Sequence, residues 1–196
     1  MNCNKQDNKM IYLLMGPSGS GKTTLGNFLK ENGIPELVSH TTRAKRKGEI
    51  EGKTYYYVSK ETFDKIDKIE YSKYGGNYYC LSKKEVEKKL DRYDKIFAIV
   101  DANGVKQVKN HFDNVLVIYI DVTLKEMEER MIKRGDNKED IEKRLKHAVI
   151  NNEFDNKKYA DIIIKNDNLQ LAKETLKNIV MINYHIQQEL NIKIRK

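Results

Sequence analysis

The apolar positions of this chain fall into short continuous runs, separated by stretches with helical spacing. Residues 10–15 (Met-Ile-Tyr-Leu-Leu-Met) form the first run and predict a buried strand. In 22–30, Leu25, Phe28 and Leu29 recur at the spacing that puts them on one face of a helix. Residues 95–100 and 114–120 are nearly continuous apolar runs, as in parallel strands covered on both faces, and 161–164 is a shorter third. Thr123-x-x-Glu126 predicts the start of a helix through Ile132, with Gly135 placed to end it, and Ser82-x-x-Glu85 predicts another start. The stretch 168–190 predicts a terminal helix with Leu171, Leu176, Ile179 and Val180 facing the sheet. This alternation has no internal repeat or low-complexity linker, and it predicts an α/β fold, a parallel sheet flanked by helices. Residues 38–92 break the pattern: they are polar, rich in tyrosine, and predict only short strands, as in an inserted substrate-binding subdomain.

Between the first strand and the first helix stands Gly16-Pro17-Ser18-Gly19-Ser20-Gly21-Lys22-Thr23, followed by Thr24. The pattern G-x-x-x-x-G-K-S/T puts glycines where backbone N–H groups must approach phosphate closely. Lys22 then reaches the β/γ oxygens, and the Thr23 hydroxyl is left for Mg²⁺. Strand, loop and helix stand in the order this motif requires, so the chain is expected to handle a nucleoside triphosphate.

Composition changes this picture little. The 196 residues suit one domain with insertions. A net charge of +8, with 34% charged residues, fits anionic substrates and nucleic acid alike, but the excess is lysine scattered among asparagine, isoleucine and glutamate. A dedicated nucleic-acid partner is therefore not expected. Cys3 and Cys80 are the only cysteines, and His40, His111, His147 and His185 are dispersed without ligand spacing. Neither a disulfide framework nor a metal site beyond Mg²⁺ is expected. No apolar run approaches the roughly 18 residues of a membrane span, and 1–9 has no signal-peptide core, so a cytoplasmic protein is expected.

Residues 38–55 pack Arg43, Arg46, Tyr55 and several hydroxyls, Ser39 among them, into one segment. A phosphate monoester suits that set, because arginine offers a forked donor matching phosphate oxygens and hydroxyls add hydrogen bonds without charge. On composition alone a solvated basic loop fits equally well.

At this point the chain resembles the guanylate kinase family. Residues 39–55 are similar to that family's S-x-T-T-R-x-x-R-x-G-E-x-x-G-x-x-Y, and the phosphate loop is similar to theirs. Further landmarks follow in order: Glu70, Gly76-Asn77-Tyr78-Tyr79, Asp101-Ala102-Asn103-Gly104, Arg130-x-x-x-Arg134-Gly135, Arg144-Leu145 and Asn166-Asp167. The likeness covers roughly 10–190. It implies a P-loop core (10–37, 93–133 and 159–196), a GMP-binding subdomain (38–92) and a helical lid (134–158). It also implies ATP-dependent phosphorylation of GMP or dGMP with Mg²⁺. Carried over, Ser39, Arg43, Arg46, Tyr55 and Tyr79 would hold the acceptor phosphate, and Glu70 would read guanine N1 and N2. Asp101 would lie near the acceptor and the Mg²⁺-linked waters. Arg130, Arg134 and Arg144 would close onto the phosphates, and Asn166 would lie near adenine. Lys22, Arg43, Arg134 and Arg144 would carry the transfer itself.

Three positions depart from the family pattern. Leu81 stands where a hydroxyl normally helps read guanine O6, so restoring it with Leu81→Ser is expected to tighten GMP binding. Ile99 replaces the first acid of an Asp-x-Asp, and Asn151 falls near where the lid helix often carries an acid. Other readings are a related kinase with another acceptor, such as the ribose-bisphosphokinases of phosphonate metabolism, and a non-catalytic module of the scaffold type. Arg43, Arg46, Tyr55 and Glu70 argue against the first, and the intact 16–23 loop against the second.

Overall fold

The computed structural model describes residues 9–46, 48–74 and 76–194, with side chains for all of these except Tyr74 and 182–194. Cys3, the 1–8 segment read for a leader, Lys47 and the side chain of His185 lie outside that description.

Four parallel strands, β1 (Met10–Met15), β6 (Lys95–Ile99), β7 (Val115–Asp121) and β8 (Ile162–Lys165), form one sheet in the order β6-β1-β7-β8. Beyond β6 the chain at 35–37 adds a short parallel contact, with Leu37 N–H donating to Phe97 O at 2.7 Å and Phe97 N–H to Pro35 O at 3.0 Å. The sequence pattern missed this fifth position because one bridge beside a proline leaves no periodic run.

The apolar runs are continuous because both sheet faces are covered. Ile11, Leu13 and Met15 point one way, into a core shared with Val105 and Val108 of helix α4 (Ala102–Lys109) and Val86 of α3 (Lys83–Leu90). Tyr12 and Leu14 point the other way, against Leu25 and Leu29 of α1 (Lys22–Glu31) and Ala172, Leu176 and Val180 of α7 (Leu169–Ile194). Leu171, expected on that face, is 57% exposed. The buried stripe is carried instead by Ala172, Leu176 and Val180, because the true helix phase turns Leu171 outward. No helix among the described residues is long and apolar enough to cross a membrane.

The remaining strands form a second sheet in the order β3-β2-β5-β4: β2 (His40–Thr41), β3 (Tyr56–Tyr57), β4 (Lys68–Tyr74) and β5 (Asn77–Ser82). β2 and β3 are as short as expected, but β4 and β5 run seven and six residues as an antiparallel pair. Their polar residues hid this length, since one face of the pair is not covered by the core. On the face turned toward α2 (Lys60–Lys65), Tyr71 and Tyr78 stack with ring centroids 6.1 Å apart, and Phe63 of that helix packs against both. Alternation along β5 turns Tyr79 to the opposite face from Tyr78.

Both predicted capping signals hold. Ser82 accepts from Glu85 N–H at the start of α3, and Thr123 and Glu126 form a reciprocal capping box on α5 (Leu124–Arg134), which ends at Gly135. Helix α6 (Lys138–Ile150) follows, then a 3-10 segment, Glu153–Tyr159. Met127 and Met131 of α5 bury against Ile141 and Ala148 of α6, giving this region a small apolar core of its own.

Candidate functional site

The loop 16–21 leads from β1 into α1 through Gly21, whose φ of 99° lies in the region only glycine enters at no cost. A Cβ there would fall 2.3 Å from Asn166 Nδ2, so the residue also permits the close approach of β8's C-terminal end. Helix α1 has no side-chain N-cap, which leaves the N–H groups of its first turn directed at whatever lies in the loop. Among buried polar side-chain atoms without a hydrogen-bond partner in the described structure, Ser20 Oγ and Asn166 Oδ1 sit at the base of this loop.

Lys22 Nζ donates to Gly16 O at 2.7 Å and Pro17 O at 2.8 Å. Burial pulls its pKa down to about 8, opposed by the carboxylate of Glu153. A cleft of about 590 Å³ lies over the loop, lined by Ser18, Gly19, Gly21, Lys22, Thr23 and Thr24, and across from them by Arg130, Arg134, Arg144 and Asn166. The structure thus brings residues expected on the donor side together in one cleft. Arg130 turns inward: it donates to Ser20 O at 3.2 Å and to Asn166 O, while Asn166 Nδ2 donates to Ser20 O at 2.7 Å. Together they brace the loop against β8. Arg134 and Arg144 both pair with Asp136.

The segment expected to hold the acceptor gathers separately, around Arg43. Its guanidinium makes a two-point pair with Glu49, at 2.6 and 3.1 Å, and lies over the rings of Tyr55 and Tyr57 at 5.4 and 5.9 Å. Tyr79 sets its ring 5.8 Å from that of Tyr55, on the same cluster. Glu49 also accepts from Arg46 N–H and Tyr57 OH, and these bonds, Arg43's first, hold its carboxyl down at about 2. The Arg46 side chain is exposed, and Ser39 contributes its carbonyl to Tyr56 N–H.

Glu70 lies on β4 opposite Leu81, 6% exposed. Burial, and next the Asp101 carboxylate, push its pKa up to about 7, against stabilising bonds from Leu81 N–H and the Ser72 hydroxyl. Gly104 of α4 lets it fit, since a Cβ there would lie 3.2 Å from Glu70 Cγ. Asp101 spends one oxygen capping α4, accepting from Gly104 N–H at 2.7 Å.

The departures resolve differently from expectation. Leu81 is 1% exposed and packs with Leu37, Ile69 and Val86, so its side chain belongs to the core and not to an open base pocket. Leu81→Ser should therefore cost about 2–4 kcal/mol of stability, through a lost apolar contact and a buried hydroxyl, and leave the ratio of GMP to AMP turnover unchanged. Urea unfolding beside paired kinetics checks this, and a variant of unaltered stability with sharper GMP preference would overturn it. Ile99 packs toward α1. Asn151 ends α6, its amide donating to His147 O, and the acid near Lys22 is Glu153, two residues on, held by His147 Nδ1 at 2.9 Å.

Sequence reasoning thus missed Glu49, Asp136 and Glu153. Glu49 stood in the motif itself, as the acid after Gly48, whereas Asp136 and Glu153 had no spacing signal and are joined to the site only by the fold.

The family model described as guanylate kinase matches residues 8–183. The guanylate kinase of Fusobacterium nucleatum is 36% identical over 173 residues, 85% of this chain and 93% of that protein. The guanylate kinase of Oceanobacillus iheyensis is 32% identical over 188 residues, 92% of this chain and 90% of that one. The crystal structure of guanylate kinase from Anaplasma phagocytophilum matches with a TM-score of 0.70 at 28% identity, covering 90% of this chain and 86% of the other. A family match over residues 8–183, with relatives 32–36% identical over most of their length, shows that this chain belongs to the guanylate kinase family.

Proposed function

We propose that the chain transfers the γ-phosphoryl group of ATP to GMP, and also to dGMP, through the residues described above. The observation that carries this reading is the cleft in which Lys22, Thr23 and three arginines face one another across an uncapped helix N-terminus. Phosphoryl transfer asks a protein mainly for positioning and for positive charge around the transferring group, and needs no nucleophilic side chain. In this reading Lys22, Arg134 and Arg144 neutralise charge on the donor phosphates. Arg130 and Asn166 set the loop, and Arg43 and Arg46, with Ser39, Tyr55 and Tyr79, hold the acceptor phosphate in line. Glu70 accepts from guanine N1–H and N2–H, with Asp101 beside it.

A Mg²⁺ ion suits the donor side. The Thr23 hydroxyl is exposed at the cleft, and among the described residues no three His, Cys, Asp or Glu side chains converge on a metal position. The ion would then be held by Thr23 and by the nucleotide's own phosphates. When bound it neutralises phosphate charge. We divide the chain into a core (10–37, 93–133, 159–196), an acceptor subdomain (38–92) and a lid (134–158) that closes over the cleft and excludes water. A cytoplasmic setting, where ATP and GMP are at hand, fits this reading.

A coupled ADP-release assay over all NMP and dNMP acceptors tests the reading, and equal or better turnover of AMP, CMP or UMP would overturn it. In the same assay Arg43→Ala and Arg46→Ala should chiefly raise the KM for GMP, about 10-fold or more, with the KM for ATP nearly unchanged. An equal loss of ATP affinity would move this segment off the acceptor side.

A further inference from the structure

We propose that Asp136 is a positioning residue that binds Arg134 and Arg144 into one cationic unit facing the phosphate loop, an inference that rests on the kinase reading above. Its carboxylate takes Arg134 Nε at 2.8 Å and a second Arg134 nitrogen, and Arg144 Nη1 at 3.3 Å. The fold places it at a corner. Arg134 is the last residue of α5, and Arg144 lies within α6. The connection between the helices is fixed by Gly135 N–H to Ile132 O, by Asp136 N–H to Met131 O, and by the Asn137 cap on Asp140 N–H. Asp136 is thus held by its backbone, with its side chain 17% exposed between two arginines that both line the cleft.

Two guanidinium groups converging on one cleft repel each other, and a carboxylate between them offsets that repulsion. The donor count decides between holding the arginines in place and holding them back. Each guanidinium has five N–H donors. Arg134 uses donors on two nitrogens and Arg144 on one, and the side chains remain 54% and 41% exposed. Most donors stay open to phosphate while the pair with Asp136 persists. The Arg134 hydrogen bonds also keep the Asp136 carboxyl below its ordinary range, so the unit stays intact across neutral pH.

The test is Asp136→Asn in the full chain, assayed with ATP and GMP. The expected result is a kcat lower by about 10- to 100-fold, the cost of misplaced transition-state contacts, with the KM for GMP within about twofold. The thermal midpoint should stay within about 2 °C, because ion pairs whose arginines stay about half exposed contribute little to folding. In an Arg134→Ala background the same substitution should cost markedly less than in the unaltered chain. An unchanged or raised kcat, full additivity of the two substitutions, or a kcat loss that tracks a fallen thermal midpoint would each overturn the proposal. Absence of GMP turnover in the unaltered chain would instead remove the kinase reading, and the proposal with it.

Discussion

Lys22→Ala is expected to lower kcat by about 10³-fold or more without loss of folded stability, the size of effect seen when a preorganised charge at a reacting group is removed. Its ammonium is bonded to the carbonyls of Gly16 and Pro17 at the mouth of the loop, and burial has pulled its pKa from 10.5 to about 8. The sign of the stability effect follows. A lysine whose pKa is depressed in the folded state weakens the fold by the full amount below about pH 8, where it is protonated in both states, and that penalty fades as pH rises from about 8 to 10.5. A shift of this size corresponds to about 3 kcal/mol, which the two hydrogen bonds partly offset. Alanine removes both, so the thermal midpoint at pH 7 should hold or rise while turnover vanishes. Near-normal turnover would take Lys22 out of the mechanism. A collapsed midpoint would show that the charge serves the fold instead.

Glu70→Gln separates recognition from stability in the same way. The carboxylate is 6% exposed, with a pKa pushed up to about 7 by burial and by Asp101. An acid whose pKa is raised on folding binds its proton more tightly in the native state. Stability therefore falls as pH rises from about 4.5 to about 7 and stays low above, by about 3 kcal/mol in all. The glutamine variant should lose that slope and melt several degrees higher than the unaltered chain at pH 8. It should also lose about 100-fold in kcat/KM for GMP, because an amide puts a donor where guanine N–H groups need a second acceptor. AMP turnover should not change. In the unaltered chain the KM for GMP should rise as pH falls below about 7, since the protonated acid is a poorer acceptor. An unaltered GMP to AMP ratio in the variant would rule out Glu70 as the reader of the base.

These two residues show how far local sequence carries. Lys22 was legible because the motif that carries it is written within eight consecutive residues and depends only on a strand before and a helix after. Arg43 and Glu70 were legible only as positions in a longer pattern. That Arg43 is held by Glu49 and flanked by Tyr55 and Tyr57, or that Asp101 faces Glu70, needed the sheet β3-β2-β5-β4 and its contact with α4. Tyrosine content alone could not tell Tyr79, beside Arg43, from Tyr78, in the aromatic stack with Phe63, because a strand turns neighbours to opposite faces.

The sequence by itself determined the parallel sheet, the phosphate loop, the helix caps at Ser82 and Thr123, and the family, because each depends on residues near one another in the chain or on a long ordered pattern. Only the tertiary structure decided that Leu81 belongs to the core, that Leu171 faces outward, and that Asp136 and Glu153 join the site. Those outcomes depend on register, helix phase and the approach of distant segments. A one-residue change in strand register or about 100° of helix rotation reverses what a side chain meets, and no local pattern encodes it.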